Sequence, residues 1–522
     1  MAIVGIDLGT YNSAVAYINK HGGIEVLPNA EGDQLTPSVV FFDGDEVIVG
    51  KIAKQNAIVE GEKVVTSIKR DMGKTDFDFE HNGKKYTPPE VSSFILRKLK
   101  DDAKARLGEE VEEAVITVPA HFDQAQRKMT EEAAALAGLK IKQIINEPTA
   151  AALAYGLDNI DANQKILVYD LGGGTFDVTI MEIKDQELMV INNEGDPELG
   201  GKDWDTRIIE YVVEQFKSEH NNEDPLADLQ THQTLQDQAE GAKEALSKRT
   251  SVKINCSYNG MNTVVELSRD KFEELTRDLL DRTEVLVKQA MDESNIKCED
   301  IGTVLMVGGS CKMPMVEAKL MSICSGWEPK KAKSLDLMVV HGAALVTKAE
   351  APPAPPESSE GDEQEPGPTG AEIVTDEGSI MFFDVLNKSV GVQTLDPQSN
   401  NLVITKMLEK NSKLGTAEKK IFYTARPGAT TIDIKVFEGE DPDPNYCVYL
   451  GVAHIADLPA GRPAQQPVEV TLESTASGTI KVVGKDLNSG QDVNAEIKLA
   501  VARSEDELQQ RKEELHEELA VS

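Results

Sequence analysis

Ile6-Asp7-Leu8-Gly9-Thr10 and Tyr169-Asp170-Leu171-Gly172-Gly173-Gly174-Thr175-Phe176-Asp177 are two versions of one pattern, with Asp7 and Asp170 163 residues apart. Each reads as an apolar strand ending on an aspartate, then a glycine turn with a hydroxyl residue, then a returning strand through Ser13 and Val15 or through Val178. Glycine lets backbone N–H groups turn towards an anion with no Cβ in the way, and aspartates suit an oxygen-seeking cation such as Mg²⁺. The two copies predict two turns that grip one nucleotide triphosphate from opposite sides.

Around these turns, strands alternate with helices up to Ala349, as in an α/β domain of two similar halves. Thr87-Pro88-Pro89-Glu90 is a capping box, and Val91, Ile95, Leu99, Ala103 and Leu107 follow it as an apolar helical stripe that ends at Gly108. Strands are expected at 114–118, 165–169, 178–180 and 303–307, and long helices at 203–216 and 270–293. From Glu350 to Gly370 the chain carries six prolines, six acids and no Lys or Arg, which reads as an extended, self-repelling spacer. An apolar tract, Ile380-Met381-Phe382-Phe383-Asp384-Val385, comes after it.

Beyond Leu386 the apolar period becomes two, at 468–472, 479–482 and 495–499, predicting an antiparallel β domain. Ser504-Glu505-Asp506-Glu507 then caps a mostly polar helix whose sparse apolar face is Leu508, Leu515 and Leu519.

Length allows about two to four domains. The net charge of −36 argues against a nucleic-acid partner, and no apolar run is long enough for a membrane span. Cys256, Cys298, Cys311, Cys324 and Cys447 are widely spaced with no CxxC, and read as reduced thiols. With a start that runs directly into a strand, these features place the protein in the cytoplasm.

Three further segments are weak alone. Gly308-Gly309-Ser310 reads as a turn, Lys69-Arg70 as a solvated segment, and Glu147 as an ordinary helix start. Together with Ala114-Val115-Ile116-Thr117-Val118-Pro119-Ala120, Asn146-Glu147-Pro148-Thr149-Ala150-Ala151-Ala152 and Leu199-Gly200-Gly201, however, they resemble the 70-kDa heat-shock protein chaperones of the DnaK type over nearly the full length.

The resemblance implies an actin-like, ribonuclease H-like two-lobed ATPase domain over 1–349, a spacer and apolar interdomain linker over 350–385, a β-sandwich peptide-binding domain over 386–502 and a truncated lid over 503–522. It implies a stress-response chaperone that hydrolyses ATP with Mg²⁺, and with K⁺ as a further cation, to control its hold on extended apolar peptide. Partners would be unfolded segments, a J-domain co-chaperone and a nucleotide exchange factor. Asp7, Asp170 and Asp177 would place the cation through its waters. Lys69 would contact the terminal phosphate and position the attacking water, Glu147 would help to hold the cation's water shell, and Thr175 would offer its hydroxyl to phosphate or to a cation-bound water.

By the same resemblance Gly9, Thr10, Tyr11, Asn12, Gly172, Gly173 and Gly174 would hold phosphates. Glu240, Lys243 and Ser247 match the family's adenosine contacts, and their i, i+3, i+7 spacing puts them on one helical face. Gly308, Gly309, Ser310, Lys312 and Asp336 would complete the nucleotide site. Pro119, Arg127, Phe382, Phe383 and Asp384 match the relay to the neighbouring domain, and Gly391, Leu395, Phe422, Ala425 and Ile432 match the peptide cleft.

The sequence departs from the family at Tyr11, where a second small hydroxyl residue is usual, and at Lys312, which replaces an arginine. The segment between Arg70 and Tyr86 is shorter than in many relatives, and the acidic insert lengthens the tether. With one short helix in place of a lid, bound peptide should exchange quickly even with ADP. Two other classes are weaker readings: a nucleotide-sensing module, a co-chaperone or exchange-factor relative with negligible turnover, against which Lys69, Glu147 and Asp177 stand, and a sugar or metabolite kinase, against which the β domain beyond Leu386 stands.

Overall fold

A computed structural model describes the chain except for residues 157–162, 332–333, 351–369, 376–377, 397, 457, 476–477, 491 and 497–502. The spacer read from the sequence lies outside the described residues but for its ends, as do residues 497–499 of the last expected strand.

The two Asp-Leu-Gly turns organise two equivalent sheets. In the first half β1 (Ala2–Asp7) pairs antiparallel with β2 (Asn12–Ile18), which continues to β3 (Ile24–Leu27). A small separate sheet contains β4 (Val39–Asp43) and β5 (Glu46–Val49). Helix α1 (Pro88–Leu107) buries its apolar stripe and ends at Gly108, whose φ of 70° favours glycine. Its entry is fixed by the Thr87 N–H, which donates to Glu90 Oε2 at 2.8 Å. Then β6 (Val111–Val118), α2 (Gln124–Leu136), β7 (Lys140–Asn146) and α3 (Glu147–Gly156) follow, with β6 parallel to both β1 and β7.

The second half repeats the plan. β8 (Gln164–Leu171), β9 (Phe176–Lys184) and β10 (Glu187–Asp196) form a meander, helices α4 (Gly201–Glu219) and α5 (Leu229–Leu246) follow, and β11 (Ile301–Val307) lies parallel to β8 as β6 does to β1. The single helix expected over 270–293 is instead Arg269–Leu275 and Arg277–Glu293, broken at Thr276, whose hydroxyl bonds the Phe272 carbonyl at 2.8 Å. Each half sends one helix to the other's sheet: α3 lies on the second sheet, while α6 (Met338–Val346) lies on the first. The two helices cross so closely that a Cβ at Gly342 would meet the Ala150 carbonyl oxygen at 1.8 Å. This crossing fixes the floor between the two turns.

The apolar tract after the spacer is a strand, β13 (Gly378–Phe383), added parallel to β10 at the edge of the second sheet. The sequence reading missed β12 (Ala371–Thr375), which folds back antiparallel on β13 and becomes the outermost strand. The connection is therefore a docked hairpin over these residues.

Beyond it two four-stranded antiparallel sheets face each other. One has the order β15 (Leu402–Leu408), β14 (Val390–Leu395), β17 (Ile432–Glu438), β18 (Val448–Ile455), and the other β16 (Ala417–Tyr423), β19 (Pro467–Ser474), β20 (Ile480–Asp486), β21 (Asp492–Glu496). Val390, Val392, Val436, Leu450, Leu472 and Val482 fill the space between them.

The C-terminal helix α7 (Glu505–Glu518) packs on α2 of the first half. Leu515 and Leu519 enter that half's core, and Arg503 and Arg511 donate to the buried Glu90 at 2.8 and 2.7 Å. After it β22 (Ala520–Val521) extends the small sheet beside β5.

Cys298 and Cys324 form a disulfide with Cα atoms 5.7 Å apart, which corrects the reading of five reduced thiols. Their 26-residue separation gave no sign of it, because packing across Trp327, whose indole N–H donates to the Cys298 carbonyl, brings them together. Among the described residues no helix is long and apolar enough to cross a membrane.

Candidate functional site

The two glycine turns meet. A Cβ on Gly174 would lie 2.4 Å from the Thr10 side chain, and one on Gly173 would lie 1.9 Å from the Tyr11 ring, so the approach needs glycine at both positions. Each turn is braced from within: Ser38 Oγ donates to the Gly9 carbonyl at 2.7 Å, and Ser310 Oγ to the Gly172 carbonyl at 2.8 Å. Arg70 crosses from the first half to clamp the second turn, donating to the Gly174 carbonyl through Nε (2.8 Å) and Nη2 (2.6 Å), and to Asp203 at 2.6 Å.

Where β1 and β8 end, four carboxylates surround one lysine. Asp7 ends β1 and Asp170 is the next-to-last residue of β8, Asp177 stands directly across the β8–β9 ladder from Asp170, and Glu147 begins α3. Lys69 is 5% exposed and ion-paired with Glu147. Burial, and then the charge of Glu147, pushes the Asp7 carboxyl up to about 7. Burial likewise lifts Asp170 well above the carboxylate range, helped by Glu147, Asp177 and Asp7. Asp7 accepts from Thr117 at 3.0 Å, and Asp177 Oδ1 accepts from the His121 backbone N–H at 3.2 Å, with the His121 ring Nδ1 at 2.9 Å. One lysine leaves this cluster short of positive charge. Among the described residues no three His, Cys, Asp or Glu side chains converge to hold a metal directly.

A cleft of about 400 Å³ opens between the halves above this cluster. Of the expected residues it is lined by Asp7, Gly9, Thr10, Tyr11, Asn12, Lys69, Glu147, Asp170, Gly172, Gly173, Thr175, Glu240, Lys243, Ser247, Gly308, Gly309, Ser310, Lys312 and Asp336. Gly174 and Asp177 are not among its lining residues. Lys312 is held at the rim by an ion pair with Asp336. Sequence reasoning missed Leu35, Met313, Leu335 and Val339, which are apolar, Glu244 on α5 and Lys248 just beyond its end. For Glu244, one turn after Glu240, the helical period was signal enough.

A second chain of contacts leaves the carboxylate cluster for the β domain. Asn146, next to Glu147, donates to Asp384 Oδ1 at 2.7 Å and accepts from Arg127 Nη2, while Arg127 Nε bonds the Phe122 carbonyl at 3.3 Å. Pro119 is buried at the end of β6. Phe382 is buried in the core beneath β13, and Phe383 carries the Lys413 ammonium 4.0 Å from its ring centre. From the β domain Glu438 Oε2 accepts from the Gln124 N–H at 3.1 Å, and Asn387 bonds the Phe122 carbonyl at 3.4 Å.

Glu438 makes this docking sensitive to pH. Burial, with the Asp123 carboxylate next, pushes its carboxyl from the ordinary 4.5 up to about 7, against the smaller pull of the Gln124 N–H, Lys388 and Arg127. Between those values the docked form binds a proton that the separated form does not. Docking should therefore weaken about tenfold per pH unit from about 4.5 to 7 and level off above, and Asp384, also raised by burial, acts in the same direction. Small-angle scattering should show the parent expanding over that range and Glu438→Gln expanding far less; identical profiles would exclude Glu438 as the cause.

The family model described as Hsp70 protein matches residues 3–82 and 73–521. The chain belongs to the Hsp70 family. It is 39% identical to the chaperone protein DnaK of Thermotoga neapolitana over 94% of this chain and 79% of that protein. The chaperone protein DnaK of Thermotoga petrophila (97% of this chain, 82% of that one) and that of Thermosipho africanus (97% and 81%) are each 38% identical.

Of the residues of this Hsp70 matched to a peptide cleft, Leu395, Phe422, Ala425 and Ile432 lie at or near strand ends, whereas Gly391 lies at the opposite end of β14 from Leu395, across from Phe437. Leu395 (45% exposed) is registered with Leu402 (55%) at the β14–β15 end, and Phe422 and Ile432 pack half-buried against the sandwich core. Ala425 is exposed in the β16–β17 turn. Gly391 is buried, where a Cβ would meet the Thr405 carbonyl oxygen at 2.5 Å. Four residues of this Hsp70 gave no sequence signal of their own: Asn146, His121, Asp205 and Glu438.

Proposed function

We propose that this Hsp70 hydrolyses ATP to ADP and phosphate and that the nucleotide state sets how its β-sandwich holds extended apolar peptide. The observation that carries the reading is the four-carboxylate, one-lysine cluster between two glycine turns, connected through Asn146 to the docked linker residue Asp384. The cleft volume and the charge-deficient carboxylate set fit a nucleotide with Mg²⁺, which when bound would supply the positive charge the cluster lacks.

In this reading the backbone from Gly9 to Asn12 and from Gly172 to Thr175 binds phosphates. Lys69 orients the attacking water and offsets charge at the terminal phosphate, and Glu147 holds Lys69 in place. Asp7, Asp170 and Asp177 would hold the cation through its waters, and K⁺ is the further cation of the same reading. Glu240, Lys243 and Ser247 face the nucleoside, with Gly308, Gly309, Ser310, Lys312 and Asp336 around it. Leu395 and Ala425 arch over the peptide, Ile432 forms the central pocket, and Gly391 and Phe422 line it. Pro119, Arg127, Phe382, Phe383 and Asp384 relay the nucleotide state.

The same reading keeps residues 1–349 as the actin-like ATPase domain, 350–385 as spacer and linker, 386–502 as the peptide-binding domain and 503–522 as the helical segment after it. J-domain and exchange-factor partners and a cytoplasmic location rest on the relationship to DnaK. The deciding experiment is the ATPase rate with and without an apolar peptide. Stimulation is expected; absence of phosphate release would overturn the enzyme, and release that ignores peptide would overturn the coupling.

A further inference from the structure

Tyr11 does something that a small hydroxyl residue cannot. It leaves the turn after β1 in the first half and reaches into the second, where its hydroxyl donates to Asp205 Oδ2 on α4 at 2.8 Å. The same oxygen accepts from Lys243 Nζ on α5 at 2.8 Å, and Lys243 also donates to the Gly201 carbonyl at 2.9 Å. The Tyr11 ring rests on Gly173 and has the Lys243 ammonium 5.5 Å from its centre.

The side chain is also a partition. Tyr11 lines the 400 Å³ cleft on one side and a second cavity of about 100 Å³ on the other, which continues between the halves past Lys54, Ser67, Lys202 and Gln236. Two other contacts tie the halves nearby, Arg70 with Asp203 and Lys54 with Glu240, both at 2.6 Å. Lys54 is 34% exposed and its ion pair is open to screening by salt, whereas Asp205 is 4% exposed and its bonds to Tyr11 and Lys243 are not. Burial and the Asp205 charge keep the phenol a neutral donor.

We propose that Tyr11 is a crossbar between the two halves and that breaking its bond to Asp205 limits the rate at which nucleotide leaves the cleft. This rests on the nucleotide reading above. It makes Tyr11 a positioning residue for lobe closure, so that the partition swings aside only when α4 and α5 move away from the turn after β1.

The test is the release rate of a fluorescent ADP from the full chain, followed by stopped flow after mixing with excess unlabelled ADP. Equilibrium binding by the parent is measured first, and its absence would overturn the nucleotide reading and this proposal together. Tyr11→Phe keeps the ring on Gly173 and removes only the hydroxyl. It should release ADP about tenfold faster, as expected for one buried hydrogen bond to a charged group, at both low and high salt.

Asp205→Asn, the second variant, should also accelerate release, and the double variant should be no more than about twofold faster than the faster single one. Lys54→Ala should accelerate release only at low salt. With binding intact, a Tyr11→Phe release rate within twofold of the parent would overturn the proposal alone. So would effects of Tyr11→Phe and Asp205→Asn that simply multiply, since the two residues would then act independently.

Discussion

Lys69→Ala should slow single-turnover hydrolysis of ATP by about 10²- to 10³-fold while the chain still binds ADP. The size follows from where the ammonium lies. Lys69 is buried and ion-paired with Glu147, and its charge opposes the upward shifts of both Asp7 and Asp170. Without it the carboxylates lose their compensating charge, bind protons more readily and serve a cation less well, and the terminal phosphate loses the donor facing it. Binding should survive because the glycine turns, Glu240, Ser247 and the apolar Leu335 and Val339 are untouched. A quenched single-turnover time course with labelled ATP gives the answer. Equal rates in parent and variant would remove the ATPase assignment and leave a nucleotide-sensing module, whereas loss of ADP binding would show that Lys69 holds the ground state.

The parts of this architecture that were legible in the sequence carry their signal within a short stretch. An Asp-Leu-Gly turn announces its own hairpin, and its repetition announced the duplicated sheet, because the chemistry and the turn use the same residues. Glu240, Lys243 and Ser247 came from the family resemblance, with which their 3.6-residue spacing agrees, and Glu244 is one turn from Glu240 in the same helix.

What escaped depends on closure over distance. Asp205 has meaning only once Tyr11, 194 positions away, points at it. β12 reads as the end of a polar spacer until β13 provides its partner. The tail helix showed its sparse apolar face, Leu508, Leu515 and Leu519, but not what that face covers, and its anchor is the carboxylate of Glu90, buried more than four hundred residues earlier in the chain. Cys298 and Cys324 were likewise unreadable from spacing.

Arg127→Ala should undock the β domain. Arg127 is 4% exposed and lies in the field of Asp384 and Glu438, and burial disfavours its charge while those two carboxylates sustain it. Asn146 stands between, accepting from Arg127 and donating to Asp384, so the three side chains form one line from α2 through the end of β7 to the residue after β13. Deleting the guanidinium leaves Asp384 buried with only the Asn146 amide and the Val385 N–H as donors. Stranding a buried charge costs roughly 3–5 kcal/mol, about a hundredfold or more in the docking equilibrium.

The amide of Met381, which donates to the Gln186 carbonyl at 2.9 Å, should then exchange with solvent far faster, and ATP hydrolysis should no longer respond to peptide. A paired replacement separates charge from packing: Arg127→Met with Asp384→Leu removes both charged ends of the line, leaves no buried charge without its opposite, costs only the two hydrogen bonds of the neutral Asn146 amide, and should recover part of the Met381 protection that Arg127→Ala loses. If the amide stays protected in Arg127→Ala, the linker is held by the β10–β13 ladder and the apolar burial of Ile380 and Phe382 alone, and Arg127 has no part in docking. If the double variant is as unprotected as the single one, Arg127 acts through packing rather than through its charge.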